Sequence, residues 1–584
     1  MLSRIIAGGF SSHRFFSVAL SWSGVLLGVL CLCSVHAWSQ SNARPLSFTS
    51  SNLPIVVINT NGQAILDEPK ITADMGIIFN GEGQRNKITD PFNQYSGKIG
   101  IEIRGSSTQM FPKKQYAVET RDSLGANLDV SLLGLPADND WILSAPYSDK
   151  SLIRDALTYG LARSMNRYAS RSQFCEVVIN GEYRGVYLLL EKIKRGKNRV
   201  NISKMDPSNI AGDDVTGGYI IKIDKLEGAE IAGWYSAFLP SQSSLKNILY
   251  QYHYPKAEDI VVAQKTYIQD RIYAFETKMS HSDYADTTSG YPAYLDVASA
   301  IDFFLVNELT KNVDAYRLSV FMYKDKDSKG GKLVMGPVWD FNHGFGNCDY
   351  YDASVIQGWQ LTYLTTNQSF LANDEYLVPF WWKCLCEDSA FMKKVTARWV
   401  ALRKNQFTME KIYRYVDSLV THLDESQQRN FEKWPVLNTY VWPNAYIGGS
   451  YANEISYLKD WIKKRLDWMD LTLAGMSLTI AEVNAQQPET FTLYQNYPNP
   501  FNPKTTISFS LAPNASPVGR GEGVRVSLKV FDLLGREVAT LVDENLHPGS
   551  YSVQWDATSF PSGAYCYQLR AGNHISAKKL VLLK

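Results

Sequence analysis

Histidine and cysteine are scarce in this 584-residue chain, and neither is grouped. The eight histidines are scattered. Beyond the N-terminal apolar stretch the cysteines are Cys175, Cys348, Cys384, Cys386 and Cys566, an odd number without regular spacing. That excludes a disulfide framework, and Cys384-Leu385-Cys386 has the wrong spacing for a zinc knuckle. The chain also lacks an excess of either charge: its net +1 gives no electrostatic case for nucleic acid. It has no internal repeat of fixed period, and no apolar run long enough to span a bilayer follows residue 35. What is present is length for two or three domains with a substantial core. Aromatic residues make up 12%, which suits buried cores or sugar-facing surfaces.

Both ends carry export signals. Arg4, His13 and Arg14 lead into an apolar run from Phe15 to Val35 that ends in Val35-His36-Ala37. This pattern predicts a signal peptide over 1–37, cut after Ala37, with a membrane anchor as the competing reading. At the other end, Leu493-Tyr494-Gln495-Asn496-Tyr497-Pro498-Asn499-Pro500-Phe501-Asn502-Pro503 places three prolines within six residues, which excludes helix. Short strand patterns follow at Thr505–Phe509, Val524–Phe531, Tyr551–Trp555 and Ala564–Leu569, before the basic end Lys578 to Lys584. That spacing predicts a small immunoglobulin-like β-sandwich over 491–584. The segment resembles the C-terminal sorting domain of type IX secretion substrates. The resemblance implies the type IX machinery as a partner, passage through the periplasm, and release or outer-membrane surface attachment without a stable membrane span.

A polar stretch, 481–490, reads as a linker. It leaves one long domain over 38–480. Strand patterns come first, at Ile55–Ile58, Met75–Phe79, Ile99–Ile103 and Gln115–Thr120. Helical periodicity comes later, at Leu152–Met165, along Val297, Ile301, Phe304, Leu305 and Leu309, and along Ile455, Leu458, Ile462, Leu466 and Met469. The expected fold class is α+β, a two-lobed body with a cleft, followed by the sandwich.

Two stretches carry candidate chemistry. In the first, the strand Ile99–Ile103 meets a small-residue turn, Arg104-Gly105-Ser106-Ser107-Thr108, and then Lys113-Lys114 before the return strand. Backbone N–H groups around Ser106 beside Arg104 and two lysines have the layout of a phosphate cradle, although any hairpin with a polar turn looks similar. In the second, a helix ends near Lys311-Asn312 and Asp314 follows. A strand Leu318–Lys324, a turn and a strand Lys332–Met335 then lead to Asp340, 26 positions after Asp314. Protein kinases order their catalytic half in this way: one aspartate receives the acceptor proton and the other holds Mg²⁺ against the phosphates. The plainer alternative is that Asp314 caps a turn and Asp340 is solvated.

Further stretches carry a family resemblance. They are Ile99 to Ser107, Pro112 to Tyr116, Asn139-Asp140-Trp141, Asn180 to Tyr187, Leu190-Glu191-Lys192-Ile193 and Gly336-Pro337-Val338-Trp339-Asp340-Phe341. In this order they make the domain similar to the CotH kinase family, atypical protein kinases. The resemblance implies Mg²⁺-dependent use of ATP on serine or threonine of secreted or surface proteins. It implies Asp314 as the catalytic aspartate, Asp340 as the metal aspartate, and Lys114, with Lys113 as rival, as the lysine that meets the phosphates. Glu191 stands where a kinase hinge meets adenine, although a buried glutamate after a strand also makes ordinary salt bridges. Asn342 stands where an acid is expected, Ser319 where a second-metal ligand is expected, and Asp155 where an amide is expected. ATP is also scarce outside the cell. The alternative is a non-catalytic surface or coat component binding nucleotide, glycan or protein partners, with Trp434, Tyr440, Trp442, Tyr446 and Tyr451 as a possible binding surface.

Overall fold

A computed structural model describes residues 48–226, 232–240, 246–478, 491–511, 524–546, 549–572 and 574–584. The signal-peptide and linker expectations, 1–37 and 481–490, lie outside the described residues.

The N-terminal strands close into a barrel. Seven strands take part: Ile55–Asn59, Ile71–Ile78, Tyr95–Arg104, Gln115–Arg121, Asp140–Ser144, Glu182–Glu191 and Ser172–Ile179, in that spatial order. All neighbours are antiparallel except the closing pair, Ile55–Ile58 with Glu176–Ile179. Alternation decides which side chains go inside. Val56, Ile58, Met75, Ile77, Ile99, Ile101, Val118, Trp141, Val177, Tyr187 and Leu189 fill the barrel. The intervening Ile142, Phe174, Val186, Leu188 and Leu190 turn outward and join the core of the helical body. Leu188-Leu189-Leu190 is therefore uninterrupted because both faces of its strand are buried.

Two motif glycines have local reasons. Asn180-Gly181 is a two-residue turn between paired Ile179 and Glu182, and both turn residues have positive φ (52° and 77°), the primed geometry that matches strand twist. Gly185 sits at φ 97°, and a Cβ there would lie 2.6 Å from Asn430 Oδ1 and 3.1 Å from Trp434 Nε1. Only glycine lets the segment after 426 approach the barrel so closely.

The rest of the domain packs helices around a second sheet. That sheet is antiparallel, in the order Gly233–Tyr235, Leu249–Tyr254, Tyr219–Ile223, Val320–Lys324, Leu333–Met335. Helix α1 (Arg154–Ser164) follows the barrel strand Asp140–Ser144; α2 is Val262–Ser280 and α3 is Val297–Thr310. Helix α3 is buried along its whole length from Ser299 to Thr310, not on one face alone, because it runs through the middle of the core. It ends on Lys311 in the left-handed conformation (φ 47°, ψ 49°), held by Nζ bonds to Val355 O (2.8 Å) and Gln357 O (2.7 Å). The last long helix, Tyr451–Leu478, buries Ile455, Leu458, Ile462, Leu466, Met469 and Leu473, the periodicity visible in the sequence. Leu318 and Ser319, expected in a strand, form part of the preceding turn, since Ser319 adopts φ 53°.

The C-terminal residues form two antiparallel sheets. One contains Thr492–Leu493, Lys504–Leu511 and Gly549–Asp556. The other contains Glu537–Leu546, Val524–Phe531, Gly563–Ala571 and His574–Leu582. Inward residues of both, among them Ile507, Phe509, Val526, Leu528, Trp555, Leu569 and Leu580, make one core. Asn496 explains the opening motif. Fully buried, it donates through Nδ2 to Pro498 O (3.0 Å) and Thr505 Oγ1 (2.9 Å) and fixes the proline turn on the first long strand. The described chain is α+β, and in the domain before residue 480 the barrel strands come first and most helices later, as its pattern predicts.

Candidate active site

Helix α1 begins on a buried clamp. Asp149 accepts from the backbone N–H of Ser151 (3.0 Å) and of Arg154 (2.9 Å), capping the first turn. It also pairs with the Arg154 guanidinium at 2.5 Å. Arg154 Nε donates to Gly344 O (3.0 Å), tying α1 to the loop that carries Asp340. One residue on, Asp155 Oδ1 accepts from Phe341 N (2.7 Å), and one turn further the Tyr159 hydroxyl accepts from Asp340 N (3.1 Å). These bonds hold Asp340 in the left-handed region (φ 63°), a conformation that a non-glycine residue keeps only where its surroundings over-determine it.

Asp314 arrives from the other side, in the turn after α3. Arg317 Nη2 donates to its Oδ1 at 3.0 Å while Nη1 reaches Asp374 (3.1 Å). Its Oδ2 lies 3.8 Å from His343 Nδ1, an ion-pair distance too long for a hydrogen bond. His343 is 7% exposed, neither ring nitrogen has a hydrogen-bond partner among the described residues, and its ring meets Trp442 edge-on at 5.7 Å.

The electrostatics show which groups share the site. Burial pushes Asp155 up to about 7, with the Asp340 charge adding to it. Burial also raises Asp340, as do the charges of Asp314 and Asp224, against the pull of His343 and Arg104. For His343 burial opposes the charged ring, but Asp314, Asp340 and Asp155 outweigh it and hold the imidazole above its ordinary value. Burial would raise Asp314, yet His343 and Arg317 bring it below the usual carboxylate range. Asp340 thus exchanges charge effects with Asp155, Asp314 and Asp224, and Asp314, Asp340 and Asp155 act on the one imidazole among them. No hydrogen bond or ion pair to the Asp340 carboxylate occurs among the described residues.

The expected site residues divide into two groups. Asp340 comes within electrostatic reach of both Asp314 and Arg104, and Arg104 lies over Trp339, which stacks on Tyr159 (5.7 and 5.9 Å). Ser319 is half-buried, its N–H 3.4 Å from Asp224 Oδ1, and the Asn342 carbonyl accepts from Asn347 Nδ2 at 2.8 Å. Ser106 is exposed. The remaining three are engaged within the fold. Buried Lys113 donates to Val186 O (2.6 Å) and Asn430 Oδ1 (2.8 Å), and burial lowers it to about 7. Lys114 Nζ donates to Gln109 O at 2.5 Å. Glu191 is fully buried and bound by Arg171 (2.7 and 3.0 Å) and the Tyr168 hydroxyl (3.2 Å), the ordinary salt bridge that a glutamate after a strand makes. Of the five aromatics from 434 to 451 only Tyr440 is exposed, and each meets a different neighbour, so they form no common platform.

Sequence reasoning missed His343 and Asp224 and took Asp155 only as a departure. His343 stands three residues after Asp340, and Asp224 directly after the strand Tyr219–Ile223. Either position was readable once the strands were known.

A divalent cation fits the chemistry of this site. The donors are hard carboxylate oxygens, one of them without a partner. Among the described residues no three His, Cys, Asp or Glu side chains are gathered closely enough to enclose a metal by themselves. Mg²⁺ does not require that, since it is usually held by one or two carboxylates with waters and substrate phosphates.

Comparison with protein families agrees with the motifs. Residues 101–469, more than half of the chain, match the family model described as CotH kinase protein, and the chain belongs to that family. Residues 495–583 match the model described as Secretion system C-terminal sorting domain, so this is an exported CotH-family protein. No curated protein matches the sequence. Among the described residues no helix is long and apolar enough to cross a membrane.

Proposed function

We propose that the protein is an exported atypical kinase that transfers the γ-phosphate of ATP to serine or threonine of secreted or surface proteins. The observation that carries this is the meeting of Asp314 and Asp340, from opposite sides of a strand pair, around His343 and within reach of Arg104. In this reading the barrel and the helical body are the two lobes, 38–480 is the catalytic domain, 481–490 a linker and 491–584 an immunoglobulin-like type IX sorting tail. Asp314 orients the acceptor hydroxyl. As its oxygen bonds to the γ-phosphorus and the bond to the β–γ bridging oxygen breaks, the proton passes to the Asp314 carboxylate and ADP leaves. Arg317 holds that carboxylate in place. Asp340, with Asn342 and Ser319 as further oxygen donors, would hold Mg²⁺, whose charge would offset that of the phosphate oxygens. Arg104 is the cation best placed for the phosphates, ahead of Lys114 and Lys113, and Trp339 gives it a flat support. Removal of 1–37 and passage through the periplasm precede surface attachment or release.

Incubation of the mature protein with labelled ATP and Mg²⁺, beside Asp314→Asn, tests this. Label on protein from wild type alone supports transfer; none, or equal label from both, removes it. One observation favours a second reading, a nucleotide-binding protein without transfer: both candidate lysines are held inside the fold. Nucleotide-dependent stabilisation without transfer would select it.

A further inference from the structure

An open groove of about 600 Å³ lies beside Arg317, three residues after Asp314. Arg317 lines it, and the same guanidinium bonds Asp314 Oδ1 at 3.0 Å. Asp224 lines it too, the carboxylate that faces Ser319 N and acts on Asp340. Through Arg317 the groove adjoins Asp314, and through Asp224 it comes within electrostatic reach of Asp340. Among the described lining residues the charges cancel: Arg317 and Lys246 stand against Asp224 and Glu375. Its apolar lining includes Leu226 and Tyr235, 44% and 51% exposed, with Leu249 and Leu377. Tyr235 belongs to Gly233–Tyr235, the outermost strand of the five-stranded sheet. Single exposed apolar residues need no explanation, but two on the wall of a groove leading to a reactive carboxylate mark a binding surface.

We infer that this groove receives the acceptor as an extended polypeptide segment, seating an uncharged, apolar side chain beside the serine or threonine presented to Asp314. The inference rests on the kinase reading and adds the acceptor class to it. A strongly basic or acidic segment finds no net opposite charge among the described lining residues, whereas an apolar side chain buries area against Leu226 and Tyr235.

The test uses the full chain and a pool of serine peptides that differ only in carrying Leu, Lys or Asp beside the serine. Wild type is expected to prefer the Leu peptide. Leu226→Lys and Tyr235→Ala, both at exposed positions, are expected to raise its KM about tenfold with kcat held within about twofold, while Tyr440→Ala changes neither. Unchanged KM in both groove variants, or preference for a charged peptide, overturns the inference. A Leu-type peptide carrying a photoreactive benzoylphenylalanine beside the serine separates this from failure of the kinase reading. If wild type transfers no phosphate, that reading falls and the cross-link alone decides: adducts on Leu226, Tyr235 or Tyr376 sustain a polypeptide groove, and adducts only elsewhere overturn it.

Discussion

Two buried ionic clusters flank the C-terminal end of α3, and they are built on opposite principles. Glu308 and Arg465 are both fully buried, and both are satisfied. Glu308 Oε1 accepts from the Tyr316 hydroxyl (2.9 Å) and Leu361 N (2.9 Å), and its Oε2 from Gln360 N (2.7 Å) and Arg465 (3.2 Å). Arg465 also donates to Glu308 O and to the carbonyls of Ile356 and Gly358. Six residues after Glu308, Asp314 opens the other cluster, where Asp314, Asp340 and Asp155 act on one imidazole that has no hydrogen-bond partner among the described residues. A satisfied buried network rigidifies, and an unsatisfied one is kept at a cost in stability only where something binds to it. The first cluster is architecture. The second is the candidate site.

The sharpest way to break the comparison is to remove a charge from each cluster. If Asp340 holds the metal as proposed, Asp340→Asn should reduce phosphate transfer about 10³-fold or more, since a metal aspartate acts on the transition state. The same variant should melt no lower than wild type, because it relieves repulsion among carboxylates. A radiolabel assay and a melting curve on one preparation check both, and a lower melting point would place Asp340 in the architectural class. Arg465→Met should do the reverse. Leaving Glu308 buried without its cation should cost about 3–5 kcal/mol in urea unfolding, with transfer per folded molecule unchanged. Burial lowers Arg465 to about 10, so it is still charged at neutral pH and the loss is that of an ion pair.

The next effect concerns ligands. Mg²⁺ with ATP should stabilise wild type by about 2.7 kcal/mol at a hundredfold excess over Kd, and Asp340→Asn should lose most of that shift. Differential scanning fluorimetry with ATP alone, Mg²⁺ alone and both separates the contributions. An equal shift in the variant would mean that the cation binds elsewhere.

The contrast between the clusters also explains what the sequence could reveal. Alternation at Ile99–Ile103 and periodicity from Ile455 to Leu473 are local signals, so those elements were readable. Asp314 and Asp340 were readable because their spacing matches a strand pair with a turn. The closed barrel was not, because closure depends on the parallel pairing of Ile55–Ile58 with Glu176–Ile179, some 120 residues apart, and nothing local encodes it. Lys113 looked like a phosphate lysine because a polar turn preceded it. Its engagement with Asn430, 317 positions away, is a tertiary fact. Gly185, by contrast, was a visible motif residue whose reason appeared only when Asn430 and Trp434 were found against it.

The smallest effect tests the acidic cluster through pH, in metal-free buffer. Asp155 has a folded value of about 7 against about 3.9 in the unfolded chain. Between those values the folded state keeps a proton that the unfolded state has lost. The stability due to this protonation is complete below about pH 4 and is lost as pH rises to about 7. His343 is also raised, so its contribution is lost in the same direction, as pH rises through its folded value. Asp314 is lowered, so its contribution is present above the ordinary carboxylate range and is lost only as pH falls through its folded value. Measuring above about pH 5 therefore leaves Asp314 out. Asp155→Asn keeps an oxygen for Phe341 N but cannot ionise. Urea unfolding at pH 5, 6, 7 and 8 should show wild type losing stability relative to this variant up to about pH 7 and then levelling, by no more than about 1.4 kcal/mol per pH unit. A difference that is flat across the series would mean that Asp155 ionises freely in the folded protein, and the crowded cluster would then be no more strained than its satisfied neighbour.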